Sequence, residues 1–235
     1  MTPLFLLHAP DGFFSPAVAG FFWIVTIIVL GICVRKASDD LDEKAVPLMG
    51  VMAAFIFAAQ MFNFQIPGGT SGHLLGGVLA AILLGPYAGT IVMACVVSVQ
   101  ALVFQDGGLV VLGANIFNMG IVGTFGGYWL YRTLAAAMGG EEKARLPAAA
   151  IAAWTSVVAA SILVAFELWI SDTTSLGTAL IAMVGWHAII GIGEALITVA
   201  ALSFIASTRS DLLHLRVARP VPPPAPTPAP ATEAV

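Results

Sequence analysis

Two imidazoles stand out in a chain otherwise poor in polar side chains. His8 lies in His8-Ala9-Pro10-Asp11-Gly12-Phe13, and His73 in Pro67-Gly68-Gly69-Thr70-Ser71-Gly72-His73-Leu74-Leu75-Gly76-Gly77. Pro10 with Gly12, and the glycines of the second stretch, put both histidines on turns and not inside regular helices. Imidazole nitrogen is a borderline ligand that suits nickel, cobalt, copper or zinc. Asn63, Gln65, Thr70 and Ser71 lie near His73, Asp11 lies beside His8, and Gln105, Asp106, Asn115 and Asn118 follow farther along. Such neutral or acidic groups suit hydrogen bonding around a bound cation. The plainer readings are a hydrogen-bonded structural histidine and, for Pro-Asp-Gly, an ordinary turn ahead of a helix.

Glu194, in Gly191-Ile192-Gly193-Glu194, is a third candidate. It falls in the middle of the last apolar run, where a carboxyl group is costly and by default functional. His187, about two turns earlier on the same face, and Glu167 are its possible partners. A mid-bilayer position far from the external loops gives Glu194 and His187 a structural or coupling role in place of direct ligation. On that placement Glu194→Gln leaves external metal binding largely intact.

The elements that must position these residues are membrane helices. Hydrophobic residues make up 59% of the chain and charged residues only 9%, against about 25% charged in a soluble domain. No basic stripe points to nucleic acid, and the partner implied is membrane lipid. Ala17–Val34, Pro47–Phe64, Leu112–Tyr131, Pro147–Ile170 and Leu176–Ala206 each reach the roughly 17–25 apolar residues that cross a bilayer as helix. Gly72–Phe104 would run about 50 Å as one helix. Gly85-Pro86 in its middle breaks it into a short span ending at Leu84 and a second starting at Tyr87.

The positive charges test that division. All nine Lys and Arg fall in three groups: Arg35, Lys36 and Lys44; Arg132, Lys143 and Arg145; Arg209, Arg216 and Arg219. Only with two spans between Gly72 and Phe104 do all three groups face the cytoplasm, as the positive-inside rule requires. The expected fold is therefore an all-α integral membrane protein with seven transmembrane helices, N-terminus outside and C-terminus cytoplasmic. It divides into an external metal-binding segment 1–16, one transmembrane helical domain 17–206, and a Pro/Ala-rich cytoplasmic tail 207–235 expected to be disordered. Two rows of small residues, Gly76, Gly77, Ala80 and Ala81, and Gly120, Gly123, Thr124 and Gly127, allow close helix approach.

Five motifs in this order resemble the CbiM/NikM family: His8–Phe13, Pro67–Gly77, Asp106-Gly107-Gly108, Gly113-Ala114-Asn115-Ile116-Phe117-Asn118-Met119 and Gly191–Thr198. These are substrate-capture membrane subunits of energy-coupling-factor transporters for nickel and cobalt, and the similarity runs from about His8 to Ser207. The resemblance implies a multi-pass subunit of a prokaryotic inner membrane that is no enzyme. It implies Ni²⁺ or Co²⁺ as the transported substrate, with no organic cofactor, the choice of ion being open. Its implied partners are a transmembrane coupling subunit, cytoplasmic ATPase subunits and a small accessory membrane subunit.

The resemblance also implies a ligand set. In the family a Met-His start supplies the terminal amine, the backbone nitrogen and imidazole of the histidine, and the Gly-rich loop supplies a second imidazole. Carried over, these are His8 and His73; four nitrogens in a plane suit Ni²⁺, and a deprotonated amide makes binding pH-dependent. Here residues 1–7 precede His8. The amine is supplied by Leu7 if the chain starts there, through its codon being the true start or through cleavage after Leu6; otherwise that ligand is absent. Two other functions fit less well: an energy-coupling-factor subunit for a vitamin-type ligand, and a proton-coupled secondary transporter with Glu194 and His187 as relay. An intramembrane enzyme lacks a nucleophile–base pair or a metalloprotease spacing.

Overall fold

A computed structural model describes residues 8–40, 45–61, 64–66 and 70–214. The described chain is all-α apart from one small hairpin. It runs α1 (Pro16–Asp40), α2 (Ala45–Gln60), β1 (Phe64–Ile66), β2 (Thr70–Gly72), α3 (Gly77–Val103) and α4 (Leu112–Asn115). A π-helical segment (Ile116–Gly126) then leads into α5 (Gly127–Ala137), α6 (Glu141–Ile170), α7 (Leu176–Thr208) and a 3₁₀ turn at Ser210–His214. Pro16 opens α1 at the position where a missing N–H is not needed. Ser175 caps α7, its side chain accepting from the Thr178 amide.

Among the described residues, four helices are long and apolar enough to cross a membrane: Pro16–Ser38, Gly77–Val103, Glu141–Ile170 and Leu176–Thr208. Phe21, Ile24, Ile27 and Ile28 of α1, and Ile181, Ile189 and Leu196 of α7, are exposed. Apolar faces of that extent belong in contact with lipid, not water.

α3 is not one rod. Gly85 departs from helix at φ 81°, ψ 162°, and Pro86 follows it. A Cβ on Gly89 would lie 3.1 Å from Ala81 N and 3.2 Å from the Ala80 carbonyl carbon. Eight residues of uninterrupted helix would separate these positions by about 12 Å. The second half therefore folds back along the first, with Gly85 and Pro86 at the bend, where the breaker pair predicts it. The small residues at Ala80, Ala81 and Gly89 let the two backbones touch.

The helix limits differ from the apolar runs in an instructive way. α1 continues beyond Val34 through Arg35 and Lys36 to Asp40. α6 likewise starts at Glu141, ahead of the apolar run that opens at Pro147. Charge marks where a helix leaves lipid, whereas backbone hydrogen bonding carries on into water. In the opposite sense, α2 stops at Gln60, and Phe64–Ile66 leaves the helix to pair antiparallel with Thr70–Gly72. Residues 73–76 are irregular, so the short span expected from Gly72 starts as helix at Gly77.

The core lies where α3, the π-helical segment and α6 meet. Val78, Leu79, Met93, Val97, Tyr131 and Val157 are buried there with a run of alanines on α6, Ala148, Ala149, Ala152 and Ala153. A Cβ on Gly77 would meet Met119 O at 3.0 Å, and one on Gly127 would meet Val78 Cγ2 at 2.4 Å. Interlocking this close is tolerated only without side chains at those points. Gly127→Val is expected to destabilise the detergent-purified protein by about 1–3 kcal/mol through overpacking, read as a lower thermal midpoint. A midpoint equal to the wild type's would show that α3 and α5 are looser than this packing.

Candidate metal centre

The segment after residue 7 has no helix of its own and is held by the turn between α3 and α4. Asp11 accepts from three successive amides of that turn: Leu109 N at 3.1 Å, Val110 N at 2.8 Å and Val111 N at 3.3 Å. Asn115 pairs with Ala9 in both directions, Ala9 N donating to Oδ1 at 3.2 Å and Nδ2 donating to Ala9 O at 3.1 Å. Gly108 N adds a bond to Ala9 O at 2.9 Å. The two glycines after Asp106 make this fit possible. Gly107 has φ +98°, and its Cβ would stand 2.8 Å from the Cβ of His8, while one on Gly108 would stand 2.1 Å from Asp11 Oδ1. From α1, Trp23 Nε1 donates to Val110 O and Thr26 Oγ1 to Gly113 O, both at 2.8 Å. Phe14 is buried against Val111, Ala114 and Leu168.

Held in this way, His8 meets His73. The ring centroids are 4.8 Å apart at an interplanar angle of 67°, and both residues are buried, 6% and 7% exposed. With nitrogen–metal bonds near 2.0–2.1 Å, two imidazoles on one ion have centroids roughly 4.5 Å apart when cis and roughly 6.4 Å when trans. The observed separation is that of cis ligands. His8 Nδ1 donates to the Asp106 carbonyl at a long 3.4 Å, with the Asp106 carboxylate 3.8 Å away. His8 Nε2 is buried with no hydrogen-bond partner, so the donor capacity of this ring is barely used. His73 Nδ1 donates to Leu74 O at 2.7 Å, which leaves the Nε2 lone pair as the ligand atom of that tautomer. Burial, and secondarily the neighbouring His73, push the His8 imidazole well below its usual 6.5. A ring kept neutral is a ring ready to bind a cation. Among the described residues no group of three or more His, Cys, Asp or Glu is placed to hold a metal ion.

Over residues 8–212 the sequence matches the CbiM family, described as cobalt uptake substrate-specific transmembrane region. The chain belongs to the CbiM family. It is 44% identical over 214 residues to a putative fused nickel transport protein NikMN of Archaeoglobus fulgidus, covering 90% of this chain and 70% of that one. It is also 44% identical over 209 residues to a putative metal transport protein of Haloquadratum walsbyi, covering 88% and 93% of the two chains. A solved transition metal transporter, crystallised in truncated form, superposes with a TM-score of 0.79 at 33% identity over 85% of this chain and 98% of that one.

In this CbiM-family protein the remaining candidates take different positions. Leu7 and Asn63 lie outside the described residues, and Thr70 and Ser71 are described only as strand backbone. Asn118 donates to Glu167 Oε2 at 2.8 Å, so its recorded partner is a carboxylate of α6 and not a residue of the histidine pair. His187 Nδ1 donates to Met183 O at 2.6 Å, within its own helix. Glu194 departs most from expectation. It is not remote from the loop that carries His73: it accepts from Leu75 N at 2.8 Å and Gly76 N at 2.7 Å, two and three residues beyond that histidine. The irregular stretch 73–76 dips into the helical bundle to meet α7, which the position of Glu194 in its apolar run could not reveal. Its partners are these amides, and Glu167 and His187 are engaged elsewhere. The basis for expecting Glu194→Gln to spare metal binding is therefore gone.

Gln60, Trp23 and Thr26 were not among the candidates. Gln60 Nε2 donates to Leu75 O at 2.7 Å. A glutamine ending an apolar run was the available signal, since an uncharged amide buried there needs a partner.

Because the folded protein keeps His8 neutral, the unfolded chain binds the extra proton as pH falls through 6.5. The metal-free protein is expected to lose stability below that pH. His8→Gln should flatten this dependence in thermal melts at pH 5.5 and 7.5; an unchanged slope would mean that His8 is protonated in the fold.

Proposed function

We propose that the chain is the substrate-capture subunit of an energy-coupling-factor transporter that imports Ni²⁺ or Co²⁺. It takes the ion at the external face and releases it inward when partner ATPases hydrolyse ATP. The observation that carries this reading is the approach of His8 and His73, buried and 4.8 Å apart, in a family of cobalt and nickel transport proteins.

The cis separation agrees with one arrangement of donors in particular. A chelate closed by the His8 imidazole and its own backbone nitrogen forms a six-membered ring through Nδ1. With a terminal amine preceding it, the remaining position in the plane lies opposite the amide and beside the His8 ring. His73 supplies that position. The 3.4 Å contact of His8 Nδ1 with Asp106 O is long enough to be exchanged for a metal bond at little cost. The amine belongs to Leu7 in a chain that starts there.

The topology proposed is seven crossings with the N-terminus outside and the C-terminus in the cytoplasm. The fold-back at Gly85 and Pro86 supports it, because it adds the extra pass that the three groups of Lys and Arg require. The partners proposed are a transmembrane coupling subunit, cytoplasmic ATPase subunits and a small accessory membrane subunit.

Calorimetry with Ni²⁺ and Co²⁺ on the full chain tests the site. His8→Ala and His73→Ala should each weaken binding by more than about 100-fold, beyond the 10–100-fold typical of losing an outer-shell partner. Both variants should stay folded, since neither ring lies in a regular element. Wild-type affinity in His73→Ala would remove it from the ligand set. Native mass spectrometry of the protein from its own host should find a chain starting at residue 7 with one ion bound; Met1 at the start would exclude the amine.

A further inference from the structure

The stretch after His73 is gripped from two helices at two consecutive peptide groups. The first joins Leu74 to Leu75. Its carbonyl accepts from His73 Nδ1 at 2.7 Å, and its N–H donates to Glu194 Oε2 at 2.8 Å. The second joins Leu75 to Gly76. Its carbonyl accepts from Gln60 Nε2 at 2.7 Å, and its N–H donates to Glu194 Oε1 at 2.7 Å. Both side chains are buried, Glu194 at 3% and Gln60 at 0% exposed. Gly76 has φ +80°, and its Cβ would meet Ile56 Cγ1 at 2.9 Å, so the turn that presents these two peptides to Glu194 and Gln60 requires glycine there.

We propose that Glu194 is a positioning residue of the metal site, acting on His73 through the Leu74–Leu75 peptide with Gln60 holding the next one. The inference rests on the reading of His8 and His73 as metal ligands. A metal-binding histidine ordinarily donates its second N–H to a carboxylate or a carbonyl, which fixes the tautomer and raises the basicity of the ligating nitrogen. Here both kinds of acceptor are used in series. The carboxylate draws on the Leu75 N–H, polarises the peptide, and makes the Leu74 carbonyl a stronger acceptor for His73 Nδ1–H; hydrogen bonds in such a chain reinforce one another. The ring is thus oriented and its Nε2 lone pair enriched by a group that never touches the ion. The same carboxylate stands at the N-terminal end of α3, where the helix dipole favours negative charge.

Glu194→Gln retains one acceptor but turns an NH₂ group toward the other loop amide. In the folded full chain it should weaken Ni²⁺ binding about 10–100-fold, shift the ligand-field absorption of the bound ion, and move the His73 Nδ1–H proton resonance in the metal-free state. Gln60→Leu touches only the second peptide and should weaken binding about two- to tenfold, less than Glu194→Gln does. Thr198→Val, on the wall of the same small cavity as Gln60, Leu74 and Glu194, should bind as the wild type does. A folded Glu194→Gln with wild-type affinity and an unmoved His73 resonance would overturn the proposal. Should that variant not fold, wild-type affinity and spectrum in Gln60→Leu would overturn it. A wild type that binds neither Ni²⁺ nor Co²⁺ overturns the ligand reading itself, a failure distinct from the variants matching a wild type that binds.

Discussion

The capture of residues 8–14 by the turn between α3 and α4 is the constraint on which the rest of the histidine-bearing end depends. Ordering an irregular segment opposes folding by about 1–2 kcal/mol of backbone entropy per residue. Hydrogen bonds to an ionised carboxylate are among the stronger ones available in return, roughly 1.5–3 kcal/mol each. Asp11 makes three of them to Leu109, Val110 and Val111, and the two-way Ala9–Asn115 pair sets the register. Without glycine at 107 and 108 the turn could not close, since side chains there would occupy the space of His8 and Asp11. The Asp106-Gly107-Gly108 motif is a mould for the N-terminal segment.

The second half of the site is held by an opposite strategy. His73 stands on chain that is neither helix nor strand, set into the bundle where every backbone polar group needs a partner. α2 and α7 supply those partners in kind: Gln60 a donor for a carbonyl, Glu194 two acceptors for amides. The irregular backbone needed to aim an imidazole is thereby tolerated within an apolar fold. Glycines and alanines of α3 pack closely on their neighbours just beyond that seat.

Much of this was legible in the chain itself, for identifiable reasons. Composition read as lipid-embedded because there is too little charge for a soluble surface. The break at Gly85-Pro86 was readable because proline and glycine act locally, and the structure folds back at that point. The histidines read as candidate ligands because two imidazoles sit on glycine turns among polar neighbours in an otherwise apolar chain, and the rings do converge. Helix limits were less legible, since hydropathy reports where lipid ends and not where hydrogen bonding does. Glu194 read as remote because depth along one apolar run says nothing about which loop descends to meet it.

The sequence by itself determined the class of fold, the bend in α3, the placing of His8 and His73 on turns, and membership of a metal-transport family. These follow from residue type and local spacing, which act over a few residues. Tertiary structure alone decided that the two rings stand 4.8 Å apart, that Asn118 goes to Glu167, and that Glu194 reaches back 119 residues to the Leu75 amide. Such pairings depend on how helices distant in sequence pack, and no local preference of the chain encodes them.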